Sequence, residues 1–190
     1  MAKVLAVNGS PRLDGNTSHM LGTVLDICKG AGFDTELYQL GGREIKGCRA
    51  CYACQTNPGA CAIDDWMNEL YKKMIASDAI VLGSPTYTSS LTSEMKAVID
   101  RCGFTAKGAG RSFSRKVGAA VTAVRRAGGI HTLDTIQHFF LAHDMVIAGS
   151  TYWNLSISRG LGEYENDAEG VETMKRLGEN IVWLLNKILC

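Results

Sequence analysis

Short apolar runs alternate with longer stretches of helical periodicity along the chain. Residues 3–8 (KVLAVN) form the first run, ended by Gly9, as a central parallel strand does on entering a tight turn. From about Thr17, apolar Met20, Leu21, Val24, Leu25 and Ile27 recur at helical spacing until Gly30 and Gly32 stop the element. Residues 33–40 then alternate as a second strand. The pattern goes on to predict a helix near 65–76, a strand at 79–84 (AIVLGS) and a helix near 91–102. Beyond these it predicts a strand at 117–124 (VGAAVTAV), a helix at 130–143, a strand at 145–150 (MVIAGS) and an amphipathic helix at 169–188. Such interleaving implies an α/β chain with a doubly wound, five-stranded parallel sheet, because parallel neighbours need right-handed crossovers that put helices on both faces. The expected strand order is 2-1-3-4-5, with a cysteine-rich loop (47–65) after the second strand.

With 190 residues and 46% hydrophobic content the chain fills one core, and no break in composition divides it, so a single domain over 1–190 is expected. Twenty basic residues face 19 acidic ones, giving a formal net charge of +1. That balance provides no overall field to recruit nucleic acid or an anionic membrane and leaves small molecules or proteins as partners. The start, MAKVLAVNGSPR, lacks the long apolar core of a signal peptide, and no stretch approaches the roughly 20 apolar residues of a membrane span. A cytoplasmic protein is expected.

Four of the seven cysteines fall in one short loop: CRACYACQTNPGAC places Cys48, Cys51, Cys54 and Cys61 as Cys-x2-Cys-x2-Cys-x6-Cys. Three thiolates at intervals of three can converge on one point, and a fourth after a Pro-Gly turn can close the coordination sphere. A cubane iron-sulfur cluster suits that spacing best. Structural zinc usually takes two separated Cys-x2-Cys pairs, a disulfide would need an oxidising compartment, and free or redox-active thiols are the remaining alternative. Cys28, Cys102 and Cys190 stand apart and are expected to be small buried or terminal residues.

In a doubly wound sheet, ligands bind beyond the carboxyl ends of the strands where strand order reverses, so the loops after strands one, three and four carry the information. The first, NGSPRLDGNTS (8–18), offers Ser10, Arg12, Asn16, Thr17 and Ser18 beside the free N–H groups of a helix start, a place for a phosphate. It has neither the Gly-Lys-Ser/Thr of a P-loop nor Gly-x-Gly-x-x-Gly. An ordinary turn with Asn16 as helix cap is the alternative. The second, SPTYTSS (84–90), offers Pro85, Thr86, Tyr87 and Thr88 to an aromatic heterocycle. The third, TAVRRAGG (122–129), ends a strand with Ala123 and Val124, then Arg125 and Arg126, then Gly128 and Gly129, where the backbone can approach a flat ligand. The arginines face a flavin carbonyl or a dinucleotide phosphate, or else simply carry solvated charge.

These segments, GSPRLDGNTS, GCRACYACQTNPGACAIDD and SPTYTSSLTSEMKAVIDR with the Gly-Gly loop, resemble the flavodoxin-like NAD(P)H-dependent FMN reductases, and more narrowly the iron-sulfur flavoproteins of anaerobic microbes. The resemblance covers most of the chain. It implies FMN, with Ser10, Arg12, Asn16, Thr17 and Ser18 on its phosphate. Pro85, Thr86, Tyr87 and Thr88 would lie along one side of the isoalloxazine, and Ala123, Val124 and Gly128 along another. It also implies a [4Fe-4S] cluster on Cys48, Cys51, Cys54 and Cys61 and a homo-oligomer, a dimer or tetramer. The flavin carries its own chemistry, so binding residues matter more than acid-base residues and no catalytic side chain is assigned.

Electrons would come from a ferredoxin-like donor or NAD(P)H and leave to a small-molecule acceptor. The alternatives are an NAD(P)H-dependent FMN or quinone reductase without a cluster and, further off, a non-enzymatic flavodoxin-fold regulatory module. Since the first loop has one arginine, neutral donors and the helix terminus are expected to hold most of the phosphate charge. His19, His131, His138 and His143 read as helix-surface or packing residues, Asp64 and Asp65 as caps of the next helix, and Trp66 and Trp153 as buried packing, with a wall of the flavin site or an oligomer interface as the alternative. The Gly-rich stretch 152–170 is long for a connection and is expected to close over a neighbouring active site.

Overall fold

Six strands build one parallel sheet: β1 (Lys3–Asn8), β2 (Asp34–Gln39), β3 (Ala79–Pro85), β4 (Val117–Val124), β5 (Val146–Ile147) and β6 (Leu155–Ile157). Their order is β2-β1-β3-β4-β5, with β6 also paired to β4. The structure, a computed structural model, describes residues 1–189, so Cys190 lies outside the described residues. The helices are α1 (Asn16–Gly30), α2 (Ala53–Thr56), α3 (Trp66–Ile75), α4 (Ser93–Gly108), α5 (Gly129–Ala142) and α6 (Ala168–Ile188), with a 3-10 turn at Glu163–Asn166.

Side-chain alternation along the strands divides the core in two. Leu5 and Val7 of β1, Ile80 and Leu82 of β3 and Ala120 of β4 pack against α3, α4 and α5. Val4 and Ala6, Ala79 and Val81, and Ala119 and Val121 face the opposite way onto α1 and α6. Both faces are thus covered, as the unbroken apolar character of the central strands requires.

The fifth strand position departs from the expected single run over 145–150. Val146 and Ile147 pair with Val117 and Gly118, and the chain then leaves the sheet and returns as β6 beside Thr122, Ala123 and Val124. Polar side chains build the excursion. Ser150 Oγ donates to the Tyr152 carbonyl (2.9 Å) and to Asn154 Oδ1 (2.6 Å), while Asn180 Nδ2 donates to the Gly149 carbonyl (2.8 Å). One edge of β4 is therefore shared by two short strands, and residues 158–166 emerge at its carboxyl end.

α4 runs through Gly103 and ends six residues beyond the expected boundary. A β-carbon at Gly103 would stand 2.9 Å from His143 Nε2, so the glycine admits a neighbouring ring rather than ending the helix. His143 is buried there against Phe113 and Phe139, and burial pushes its pKa down to about 4, so it packs as a neutral ring. Cys28 and Cys102 are buried as expected; burial raises the Cys28 thiol to about 11. Trp66 and Trp153 are not buried: they are 46% and 48% exposed, one under the Arg43 guanidinium at 4.2 Å from its ring centroid and the other against Tyr152.

Candidate functional site

The loop after β1 is held open by a ring of amides. Asn8 Oδ1 accepts from Ser10 N (3.0 Å), Asn8 Nδ2 donates to Gln39 Oε1 (2.6 Å), and Gln39 Nε2 donates to the Ser10 carbonyl (2.6 Å). Ser10 Oγ accepts from Arg12 N at 3.1 Å. α1 begins at Asn16 with Gly15 at the N-cap, so Asn16 is not the cap. Its side chain instead ties α1 to the distant 158–166 segment: Nδ2 donates to the Gly160 carbonyl (2.8 Å) and Oδ1 accepts from Tyr164 N (3.2 Å). His19 adds a second tie between Asp14 and Glu165.

Across the cleft, Thr86 N donates to the Ala123 carbonyl (2.9 Å), and its hydroxyl meets Thr122 Oγ1 (3.0 Å) and Thr132 Oγ1 (3.1 Å). Tyr87 and Ser90 close a two-residue turn whose Thr88 and Ser89 both adopt positive φ, +47° and +62°. Gly128, at φ +89°, backs onto that turn; a β-carbon there would stand 2.9 Å from Ser89 Cα.

An open cleft of about 170 Å³ results. One wall is Ser10, Arg12, Gly15, Asn16 and Thr17; the other is Pro85, Thr86, Tyr87 and Ala123. Ser18, Thr88, Val124 and Gly128 do not line it. Ser18 is turned inward, its Oγ accepting from Gly15 N (3.0 Å) and donating to the Gly15 carbonyl (2.7 Å). Val124 is buried and its carbonyl accepts from Ser158 N. Thr88 lies in the two-residue turn and Gly128 behind it.

Arg125, Ser158 and Arg159 complete the lining. Three arginines, Arg12, Arg125 and Arg159, therefore border the cleft, where the loop alone offered one. Arg126 is not among the lining residues. Ser158 and Arg159 belong to the long segment after β6, which here walls the cleft of its own chain. No local motif signals them, because the excursion at the sheet edge decides where that segment emerges.

The cysteine-rich loop docks on the far half of α4. Cys48, Cys51, Cys54 and Cys61 all line one cavity with Arg101, Phe104 and Thr105. Ala50 and Tyr52 flank Cys51 in left-handed conformations, φ +52° and +56°, and the Tyr52 ring meets Phe104 edge-on at 6.2 Å. Gly108 lets the loop touch the helix: a β-carbon there would stand only 2.2 Å from the Cys54 carbonyl oxygen. Burial raises the Cys54 thiol and the other three sulfurs add to this, whereas hydrogen bonding at the start of α2 lowers Cys51.

Arg101 pins both ends of the loop. Its Nη1 donates to the Lys46 carbonyl (2.9 Å) and to Asp65 Oδ2 (2.6 Å), and its Nη2 to the Ile63 carbonyl (3.0 Å). Asp65 also caps α3 through Met67 N (3.1 Å), as expected of it. Asn68 closes the last turn, accepting from Cys61 N at 2.9 Å and donating to the carbonyls of Cys61 and Ile63. Among the described residues no group of three or more His, Cys, Asp or Glu side chains is gathered tightly enough for a single metal ion. A zinc ion would need every thiolate about 2.3 Å from one centre. A cubane places each thiolate on a different iron and so takes a wider ring of sulfurs. An all-sulfur donor set bordered by buried polar hydrogens is chemically suited to it.

The two sites lie at different heights on α4. Thr92, capping that helix, donates from Oγ1 to the Gly9 carbonyl (2.8 Å) at the cleft end, whereas Arg101 lies nine residues and about 13.5 Å further along the axis at 1.5 Å per residue.

The sequence profile of the NADPH-dependent FMN reductases matches residues 2–159. The chain belongs to that family. It is a flavin-dependent oxidoreductase with the flavodoxin-like fold, in the branch of the iron-sulfur flavoproteins. An iron-sulfur flavoprotein of Methanocaldococcus jannaschii is 33% identical, with 98% of each chain aligned. An iron-sulfur flavoprotein of Methanosarcina thermophila is 29% identical over 98% of this chain and 96% of that one. The solved structure of a flavodoxin from the domain Archaea superposes with a TM-score of 0.63 at 16% identity, over 99% of each chain. No helix of this family member, among the described residues, is long and apolar enough to cross a membrane.

Proposed function

We propose that the protein is an iron-sulfur flavoprotein that passes electrons between a [4Fe-4S] cluster on Cys48, Cys51, Cys54 and Cys61 and FMN bound in the cleft. The observation that carries this reading is that all four thiols border a single cavity on the protein that also offers a cleft at the switch point of its sheet. When bound, FMN supplies one-electron and hydride chemistry and the cluster supplies single electrons.

The residues bind and orient. Ser10, Thr17 and the first-turn N–H groups of α1 hold the phosphate with Arg12 and Arg159, which offset its roughly two negative charges. The Asn16 side chain is occupied with Gly160 and Tyr164, so Asn16 contributes its backbone and fixes the 158–166 wall. Pro85, Thr86 and Tyr87 border one side of the isoalloxazine and Ala123 another. Ser18, Thr88, Val124 and Gly128 support the loops behind these contacts.

A ferredoxin-like protein or NAD(P)H is the donor and a small molecule the acceptor. Anaerobic rapid mixing tests the sequence of events. Reduced ferredoxin should bleach the cluster first and the flavin second. Flavin reduction by NADPH with the cluster untouched throughout would instead favour a reductase in which the cysteines carry no electrons.

A further inference from the structure

Among the described residues, two buried side-chain nitrogen or oxygen atoms lack a hydrogen-bond partner: Nε of Arg101 and Oγ1 of Thr105. The pair is four residues apart on α4, hence on one helix face, and both residues line the cavity bordered by the four cysteines. Each residue is 1% exposed, so water does not routinely satisfy these groups. A buried donor left unpaired carries a free-energy cost, and two such costs at one cavity call for an acceptor inside it.

Arg101 spends its other hydrogen bonds on Lys46, Ile63 and Asp65, which fix the plane of the guanidinium and therefore the direction of Nε. Burial works against its charge, but Asp65 and the nearby Cys61 sulfur hold it positive. Thr105 has no such anchoring duty: its hydroxyl is free to turn toward whatever acceptor fills the cavity.

We infer that Arg101 Nε and Thr105 Oγ1 donate hydrogen bonds to the sulfur atoms of the cluster and so raise its reduction potential. This rests on the cluster proposed above. Donors and a positive charge beside the sulfurs stabilise the more negative, reduced cluster more than the oxidised one. Both residues are positioning and tuning groups for electron transfer rather than cluster ligands.

The test compares wild type, Thr105→Val, Thr105→Ser and Arg101→Lys after anaerobic reconstitution. Iron and sulfide are counted first; wild-type protein that takes up neither overturns the cluster reading and this inference together. Spectroscopic redox titration of the loaded proteins follows. Thr105→Val should bind as much iron as wild type and titrate at a more negative potential, by roughly a tenfold change in the oxidised-to-reduced ratio, or 59 mV for one electron. Thr105→Ser should restore the wild-type value, and Arg101→Lys, which keeps the charge but lacks Nε, should also shift negative. With wild type loaded, an unchanged potential in either variant removes that residue from the assignment and leaves the cluster reading intact.

A second readout involves no electron transfer. In the cluster-free chain Thr105→Val removes an unpaired buried hydroxyl and should raise the thermal midpoint. In the loaded protein the same change removes a made hydrogen bond and should not. Equal changes in both forms would overturn the role of Thr105.

Discussion

The most exacting stability prediction concerns Asp65→Asn. Asp65 and Arg101 form a buried pair, with side chains 6% and 0% exposed and Oδ2 2.6 Å from Nη1. Breaking such a pair from one side strands the other charge and costs about 3–5 kcal/mol. Asparagine can keep its one oxygen on Met67 N as the N-cap of α3, but its amide nitrogen then stands where Oδ2 accepted from Lys46 N and Arg101 Nη1, so those bonds are lost along with the charge. A loss of about 3–5 kcal/mol is a sizeable part of the 5–15 kcal/mol typical of a domain. Urea denaturation of the cluster-free chain at neutral pH measures it.

Arg101→Met should lose a comparable amount, and the double variant should lose clearly less than the sum, because the second change removes the stranded charge. Burial works against the Asp65 carboxylate, but the hydrogen bonds from Arg101, Lys46 N and Met67 N and the Arg101 charge together outweigh it and hold the carboxyl below its ordinary range. A depressed pKa of this kind stabilises above the unfolded value, about pH 3.9, and its contribution is lost as pH falls through the folded value. The wild-type advantage over Asp65→Asn should therefore be full at neutral pH and fade in acid. A loss below about 0.5 kcal/mol, the range of an ordinary surface change, or strict additivity in the double variant would refute the clamp.

Gly108→Ala sets helix propensity, which favours alanine by up to about 1 kcal/mol, against a clash of the new β-carbon with the Cys54 carbonyl oxygen. Because that overlap is with backbone, the loop should shift; reconstitution should give well under half the wild-type iron with FMN binding retained, as metal and flavin analysis would show. Asn16→Ala leaves the Gly160 carbonyl and Tyr164 N–H without their partner, and should cost about 2 kcal/mol in urea denaturation and weaken FMN binding in a fluorescence titration. His19 has a raised pKa, chiefly through its hydrogen bond to Asp14 and then through Glu165. Its contribution is thus complete below about pH 6.5 and lost as pH rises through the folded value, so the thermal midpoints of wild type and His19→Gln should converge with increasing pH.

The sheet was legible because Val4 to Val7, Ile80 to Leu82 and Val117 to Val121 are apolar on both faces, which only a central parallel strand tolerates. The split of the fifth strand was not. MVIAGS reads as one run, and the side-chain bonds of Ser150, Asn154 and Asn180 that draw the chain off the sheet have no local signature. The helix expected near 91–102 runs on through Gly103, whose role, room for His143, is set by another element.

The same division holds at the sites. The polar run from Ser10 to Thr17 and the cysteine spacing are local patterns and stood out. Ser158 and Arg159 reach the cleft only through the excursion at the sheet edge, and Arg101 looks like an ordinary helical arginine until the loop ends close over it.

The most direct test of the central claim is the iron, acid-labile sulfide and FMN content of anaerobically purified protein, read with its visible spectrum. About four iron, four sulfide and one FMN per chain is the predicted result for a cubane on four thiolates beside one flavin cleft. One FMN with neither iron nor sulfide, even after reconstitution, would contradict it and leave a flavin reductase whose clustered thiols serve another purpose.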